Sequence, residues 1–182
     1  MSERLPGIRP RATLWRQLDI AARAAFPATI SALLLLLTAA PIGLPGQAEM
    51  QAPVALACVV FWSLDRPGSM PPIVVFALGL FADLLGYAPL GVFMVVLLLA
   101  YGVTVRARRV LARGGFVTVW LGFGAIVVAA ALAQWALTCL TRLTLLPAEP
   151  ALLQSAFGIG LYPPLALLLA RTHNSLAAPE RA

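Results

Sequence analysis

One acidic residue, Asp83, lies inside an otherwise apolar run of the sequence, Val74 to Phe93. A carboxyl group in such a place can relay protons or act as a general acid or base, or it can accept hydrogen bonds from backbone N–H groups. Acid-base work would require a second group nearby, and the apolar runs offer no His, no Lys and no second buried acid. Gln134 and Arg142 on a later helix could still approach Asp83 in space.

Three interpretations of Asp83 are therefore open. In the structural one, the carboxyl group accepts hydrogen bonds from the backbone of residues Gly86 to Gly91 and fixes the turn between the third and fourth helices. In the second, Asp83 faces a partner or a gate. In the third, which the surrounding residues favour least, it relays protons or takes part in catalysis.

A second concentration of polar residues occurs in FWSLDRPGSMPP, residues 61–72, where Asp65 and Arg66 are adjacent. Pro67 should end the second helix, and Pro71 with Pro72 should begin the third. This corner is either a rigid cytoplasmic turn whose arginine marks sidedness, or an exposed docking corner.

The motifs of common enzymes are missing from the sequence, which contains no phosphate-binding G-x-x-x-x-G-K-[ST], no H-E-x-x-H and no G-x-S-x-G. Cys58 and Cys139 fall in apolar segments and His173 is the single histidine, so neither a metal site nor a disulfide framework is predicted. The arginines flank apolar runs and do not form a stripe, which argues against nucleic-acid binding. We expect no enzymatic activity, no cofactor and no nucleic-acid partner.

Apolar helices must position these residues. Hydrophobic residues make up 61% and charged residues 11% of the 182 positions, and the mean hydropathy is +0.91, whereas soluble domains carry about 25% charged residues. We predict an all-α integral membrane protein, a six-helix transmembrane bundle. The six apolar runs are Ala24 to Ala40, Pro53 to Leu64, Ile73 to Leu85, Leu90 to Val105, Phe116 to Leu140 and Ala151 to Ala170.

The second, third and fourth runs are short, so flanking residues must extend them, the bilayer must thin, or neighbouring helices must shield them. Residues 73–105 are compatible with two full spans or with a hairpin that dips into the bilayer and returns. The sixth run should kink at Pro163 and Pro164, because each proline removes a backbone donor.

The distribution of arginine predicts the topology. With the N-terminus inside, all 13 basic residues except Arg142 fall on the cytoplasmic side, as the positive-inside rule requires. Residues 1–19 would then be a cytoplasmic Arg-rich tail, 20–171 a six-span membrane domain, and 172–182 a disordered cytoplasmic tail. Both termini would be cytoplasmic, and the basic loops would touch anionic membrane lipids.

The segment FWSLDRPGSMPPIVVFALGLFADLLGYAPLGVFMVVLLLAYGV, residues 61–103, resembles the core of the rod shape-determining protein MreD family. The matching features are Trp62 followed by Arg66-Pro67, the phrase FALGLFADLLGYAPLG, and Tyr101 ahead of an Arg-rich loop. The resemblance implies a bacterial inner-membrane, multi-pass scaffold of the cell-wall elongation complex that maintains cell shape. It also implies a fold similar to the substrate-binding subunits of energy-coupling-factor transporters.

The partners that this resemblance implies are MreC first, then the shape-and-division glycosyltransferase, its transpeptidase and the actin-like filament system. We predict that recognition centres on Gly79 to Gly91, with the Trp62 to Pro67 corner second. The predicted partner-binding residues are Trp62, Asp65, Arg66, Pro67, Gly79, Asp83, Gly86, Pro89, Leu90 and Gly91. The alternative is a small-molecule-binding membrane subunit of a vitamin-type transporter, in which Asp83, Gln134, Gln154 and Ser155 would converge on a cavity.

Overall fold

The structure is a computed structural model that describes residues 14–40, 47–65, 67–86, 89–111 and 113–177. Within these ranges it contains six α-helices and one short 3-10 helix. The α-helices are α1 Leu14–Ala39, α2 Gln47–Asp65, α3 Pro72–Leu85, α4 Val92–Leu111, α5 Phe116–Arg142 and α6 Glu149–Ala177, and the 3-10 helix is Pro67–Ser69.

The six predicted helices are confirmed, and most are longer than their apolar runs. Helix α2 begins at Gln47, so Pro53 lies inside it and does not open it. Helix α6 continues through Pro163 and Pro164 to Ala177, so the prediction that the chain is disordered from residue 172 is wrong as far as residue 177. Helix α3 has 14 residues and therefore spans only about 20 Å.

Helix α2 is the centre of the bundle. Every residue from Ala52 to Val60 is buried, as are Trp62 and Ser63, and the helix packs against α1, α4 and α6. A helix that is apolar on all sides is stable only where other elements surround it. The remaining helices therefore pack around α2.

Consecutive helices run in opposite directions, so their ends meet in two groups. At one end, the last residues of α1, α3 and α5 come together with the first residues of α2, α4 and α6 around one cavity. We call this the cavity end. At the other end the α4 arginines approach α2, where Arg108 donates from Nε to the Leu64 carbonyl oxygen over 3.4 Å. We call this the arginine end.

The outer surface of the bundle is strongly apolar. Large hydrophobic side chains are exposed on α1, α3, α4, α5 and α6, with Leu33, Ile73, Leu99, Leu121 and Leu167 each more than half exposed. Among the described residues, two helices are long and apolar enough to cross a membrane, Phe116–Arg142 and Glu149–Arg171. The apolar segments Ala25–Ala39 and Pro72–Leu85 are shorter.

Candidate functional site: the Asp83 turn and its cavity

Asp83 lies in the last turn of α3 with only 3% of its surface exposed. Its oxygen Oδ2 accepts hydrogen bonds from the backbone N–H groups of Gly91 at 2.9 Å and Met94 at 3.0 Å. The other oxygen, Oδ1, accepts one from the N–H group of Phe93 at 3.2 Å. The carboxyl group of one helix therefore caps the start of the next.

The sequence explains why Asp83, eight residues before Gly91, caps the start of α4. The first N–H groups of any α-helix have no partner inside the helix, and a side chain just before the helix usually accepts one of them. Here the residue before α4 is Gly91, which has no side chain and adopts a φ of +91° that favours glycine. Asp83 supplies the missing acceptors, and the positive end of the α4 dipole stabilises its negative charge.

The structural interpretation of Asp83 is thus confirmed, but only one of the three donors lies in the predicted segment. We predicted donors within Gly86 to Gly91, and of these Gly91 donates. The other two, Phe93 and Met94, come from the first turn of α4, because the helix begins at Val92 and not at Leu90.

Gly79 brings α3 and α4 into close contact one turn before Asp83. A Cβ atom at this position would lie 2.7 Å from the Cα atom of Met94, which is closer than real Cβ atoms approach backbone. Met94 is also one of the residues that donate to Asp83. The glycine and the acid therefore hold the same stretch of α4 against α3.

A cavity of about 500 Å³ opens beside the Asp83 turn. The polar residues that line it are Thr38, Gln47, Glu49, Gln51, Asp83, Gln134 and Gln154. The structure thus brings together three of the four polar residues predicted for a cavity. The fourth, Ser155, donates its hydroxyl to the Ala151 carbonyl oxygen at 2.8 Å and is not part of the lining. Arg142, which we considered as a neighbour of Asp83, lies exposed at the end of α5.

Three of the four side-chain amides in the lining donate to protein, and the fourth, Gln134, accepts. Gln154 donates from Nε2 to Oε1 of Gln134 at 2.9 Å, and Gln51 donates from Nε2 to the Ala82 carbonyl oxygen at 3.4 Å. Gln47 donates from Nε2 to the carbonyl oxygens of Thr38 and Ala40. The Oε1 atoms of these three amides can therefore accept hydrogen bonds from a ligand, whereas Gln134 has its Oε1 atom engaged and can donate through Nε2.

The sequence prediction missed Gln47, Glu49 and Gln51 because the second apolar run begins only at Pro53. A signal was present, since QAEMQ, residues 47–51, carries helix-forming residues with an acid near the expected N-terminus. The Gln47 amide also explains the early start. By capping the end of α1, it holds the first turn of α2 in place.

The predicted partner-binding residues differ in how far they are exposed. Trp62, Gly79 and Asp83 are buried, and their part in partner binding stays a prediction. Asp65 is exposed, and Leu90 is 69% exposed.

The other predicted residues that the structure describes are partly exposed or lie in turns. Gly86, Pro89 and Gly91 are partly exposed and form the α3–α4 turn with Leu90. Pro67 opens the 3-10 helix, and Arg66 lies outside the described residues. Of the predicted residues that the structure describes, the exposed ones belong to the turn between α3 and α4 and to the end of α2.

The described ranges contain no group of three or more His, Cys, Asp or Glu side chains that could hold a metal ion. Asp83 has both oxygens engaged by backbone donors, which suits a positioning role more than proton transfer. Comparisons of the chain with protein-family models, curated proteins and solved structures found no match.

Proposed function

We propose that this chain is a non-enzymatic membrane scaffold of the bacterial cell-wall elongation complex, with MreC as its principal partner. It would cross the inner membrane six times with both termini in the cytoplasm. The choice of complex and partner rests on the resemblance of residues 61–103 to the MreD family. The similarity to energy-coupling-factor subunits stays a prediction.

The apolar outer surface supports placement in a bilayer. Five of the six helices expose large hydrophobic side chains, an arrangement that suits contact with lipid tails and would be unusual on a soluble monomer. Helix α5 has 27 residues and spans about 40 Å, more than the roughly 30 Å hydrocarbon core. The cluster Arg106 to Arg113 at the arginine end supports a cytoplasmic position for that end.

The observation that carries the scaffold proposal is the α3–α4 hairpin. Inside, it is fixed by the three hydrogen bonds to Asp83 and the close contact at Gly79. Outside, it presents exposed apolar side chains, which are Ile73, Phe76, Leu80, Leu84, Leu90, Val95, Leu99 and Val103. A rigid hairpin with an apolar outer face can bind an apolar partner helix with little loss of conformational entropy.

We expect the double substitution Leu80→Ala with Leu84→Ala to weaken binding of MreC while leaving the bundle folded. Both leucines are exposed, so their loss opens no internal cavity. Truncation of a contact worth about 1 kcal/mol reduces an equilibrium constant about fivefold. Recovery of MreC with the tagged protein from detergent extracts measures this effect.

The matched control is Leu121→Ala with Leu132→Ala, two exposed leucines on α5. This variant should recover as much MreC as the wild type. Equal recovery with both double variants would remove the α3–α4 hairpin as the partner surface, and failure of the wild-type chain to recover MreC would reject the scaffold proposal itself.

A second function, a small-molecule-binding membrane subunit, is favoured by the cavity of about 500 Å³ and its seven polar side chains. Small-molecule sites commonly have about this volume and a few convergent polar groups. Native mass spectrometry of the purified protein separates the two functions, because a binding subunit retains a small molecule whereas a scaffold retains a protein partner.

A further inference from the structure

The cavity at the Asp83 turn combines an acceptor-rich lining with negative charge. We propose that it binds a small organic cation rich in N–H donors, a primary ammonium or guanidinium compound. This ligand class rests on the second function above, the capture of a small molecule.

The hydrogen-bonding capacity of the lining supports the proposal. The Nε2 groups of Gln47, Gln51 and Gln154 are already bonded to protein. Each of these amides can therefore offer its oxygen to a ligand, and an amide oxygen can accept two hydrogen bonds. Gln134 differs, because its oxygen is engaged and its NH₂ group faces the ligand space as a donor. A ligand that only accepts hydrogen bonds would leave these oxygens unpaired, at a cost in affinity. A primary ammonium group, with three donors, complements them.

The charge of the lining points to the same ligand. Glu49 and Asp83 both border the cavity, and among the described residues no Arg, Lys or His is part of its lining. Part of the charge on Asp83 is balanced by the α4 N-terminus, whose N–H groups bond to both of its oxygens. Glu49 lies in the first turn of α2, where the helix dipole stabilises its negative charge without cancelling it. Arg142 is eight residues beyond Gln134 on α5, about 12 Å along the helix axis. A cation is favoured here, and an anionic ligand such as a lipid-linked pyrophosphate is repelled.

A bare divalent ion fits the site less well than an organic cation. Ca²⁺ takes six to eight oxygen ligands, several of them carboxylates. Among the described residues, two carboxyl groups border this cavity, and one of them is engaged by three backbone donors. Phe93 adds an aromatic ring to the lining, which can pack against the carbon chain of an organic cation.

Binding of putrescine to the purified protein tests the proposal, with two comparison compounds of related shape. The compound 1,4-butanediol has the same number of non-hydrogen atoms but no charge, and fully N-methylated putrescine keeps both charges but has no N–H donor. Isothermal titration calorimetry in an uncharged maltoside detergent measures all three. We expect saturable putrescine binding and affinities at least about tenfold lower for both comparison compounds, because charged hydrogen bonds are the strong ones.

The substitution Glu49→Gln removes the charge from the lining and nearly preserves the shape of the side chain. It should weaken putrescine binding about tenfold or more. The matched control is Glu149→Gln, which makes the same change in an exposed residue of the first turn of α6 that is not part of the lining. This control should bind putrescine as the wild type does, and thermal unfolding should confirm that both variants are folded.

A primary ammonium group can belong to a soluble amine or to the headgroup of phosphatidylethanolamine. Micelles containing this lipid distinguish the sources, because displacement of putrescine identifies the headgroup as the occupant and lack of displacement identifies a free amine.

The proposal is overturned if putrescine does not bind, if butanediol binds equally well, or if Glu149→Gln weakens binding as much as Glu49→Gln. If the protein does not bind putrescine but retains a neutral small molecule, the proposed cationic ligand is rejected, whereas the small-molecule-binding function is supported.

Discussion

Replacement of Asp83 by alanine should lower the free energy of unfolding by about 3 kcal/mol, because three backbone N–H groups lose their acceptor and each unsatisfied buried donor costs about 1 to 3 kcal/mol. These donors belong to Gly91, Phe93 and Met94, so the damage should concentrate at the start of α4. Unfolding in mixed detergent and SDS micelles measures the loss. Membrane insertion should remain intact, while recovery of MreC or rod shape in cells should decline.

The substitution Asp83→Asn provides a graded comparison. The asparagine keeps one acceptor oxygen, but its NH₂ group faces a backbone donor, so its stability should fall between those of the alanine variant and the wild type. Glu149→Ala serves as a control because Glu149 is an exposed acid in the first turn of another helix. An alanine variant at residue 83 as stable as the wild type would show that the hydrogen bonds to Asp83 do not stabilise the hairpin.

Gly79→Ala should destabilise the protein by about 1 to 3 kcal/mol, the usual range for overpacking a close contact. The added methyl group would lie 2.7 Å from the Met94 Cα atom, and a backbone atom cannot rotate away as a side chain can. Helices α3 and α4 must separate, which also lengthens the hydrogen bond from Met94 to Asp83. Equilibrium unfolding measures the stability, and cysteine cross-linking between α3 and α4 measures the separation.

Gly102→Ala is the matched control for this variant. Gly102 lies within α4, and a Cβ atom there would meet no atom within 4 Å. Alanine is about 1 kcal/mol more favourable than glycine in a helix interior, so this variant should be as stable as the wild type or slightly more stable. If the two alanine variants have the same stability, the close contact at Gly79 does not constrain the hairpin.

The composition and the apolar runs of the sequence were enough to predict the helices. Each run coincides with one observed helix, because a long apolar segment has few ways other than helix formation to bond its backbone. The burial of Asp83 was also predictable, since an acid among apolar residues has to find donors. The glycines before and after it indicated where the backbone could approach closely.

The exact donors and the cavity lining could not be predicted, because both depend on helix boundaries that the apolar pattern does not define. A shift of two residues in the start of α4, from Leu90 to Val92, determines which N–H groups face Asp83. Likewise, the start of α2 at Gln47 brings Gln47, Glu49 and Gln51 into the cavity. Trp62 was predicted from the sequence to bind a partner, but its position near the end of the central helix buries it.

The central position of α2 has a consequence for synthesis of the protein in the cell. Helix α2 leaves the ribosome well before α6, one of its main neighbours, whose Gly158 lies close to Pro53. The nascent chain must therefore hold α2 in a temporary environment until α6 has been made. Chains that stop before Glu149 would lack this neighbour and become substrates for proteases, so abundance should depend steeply on completing α6.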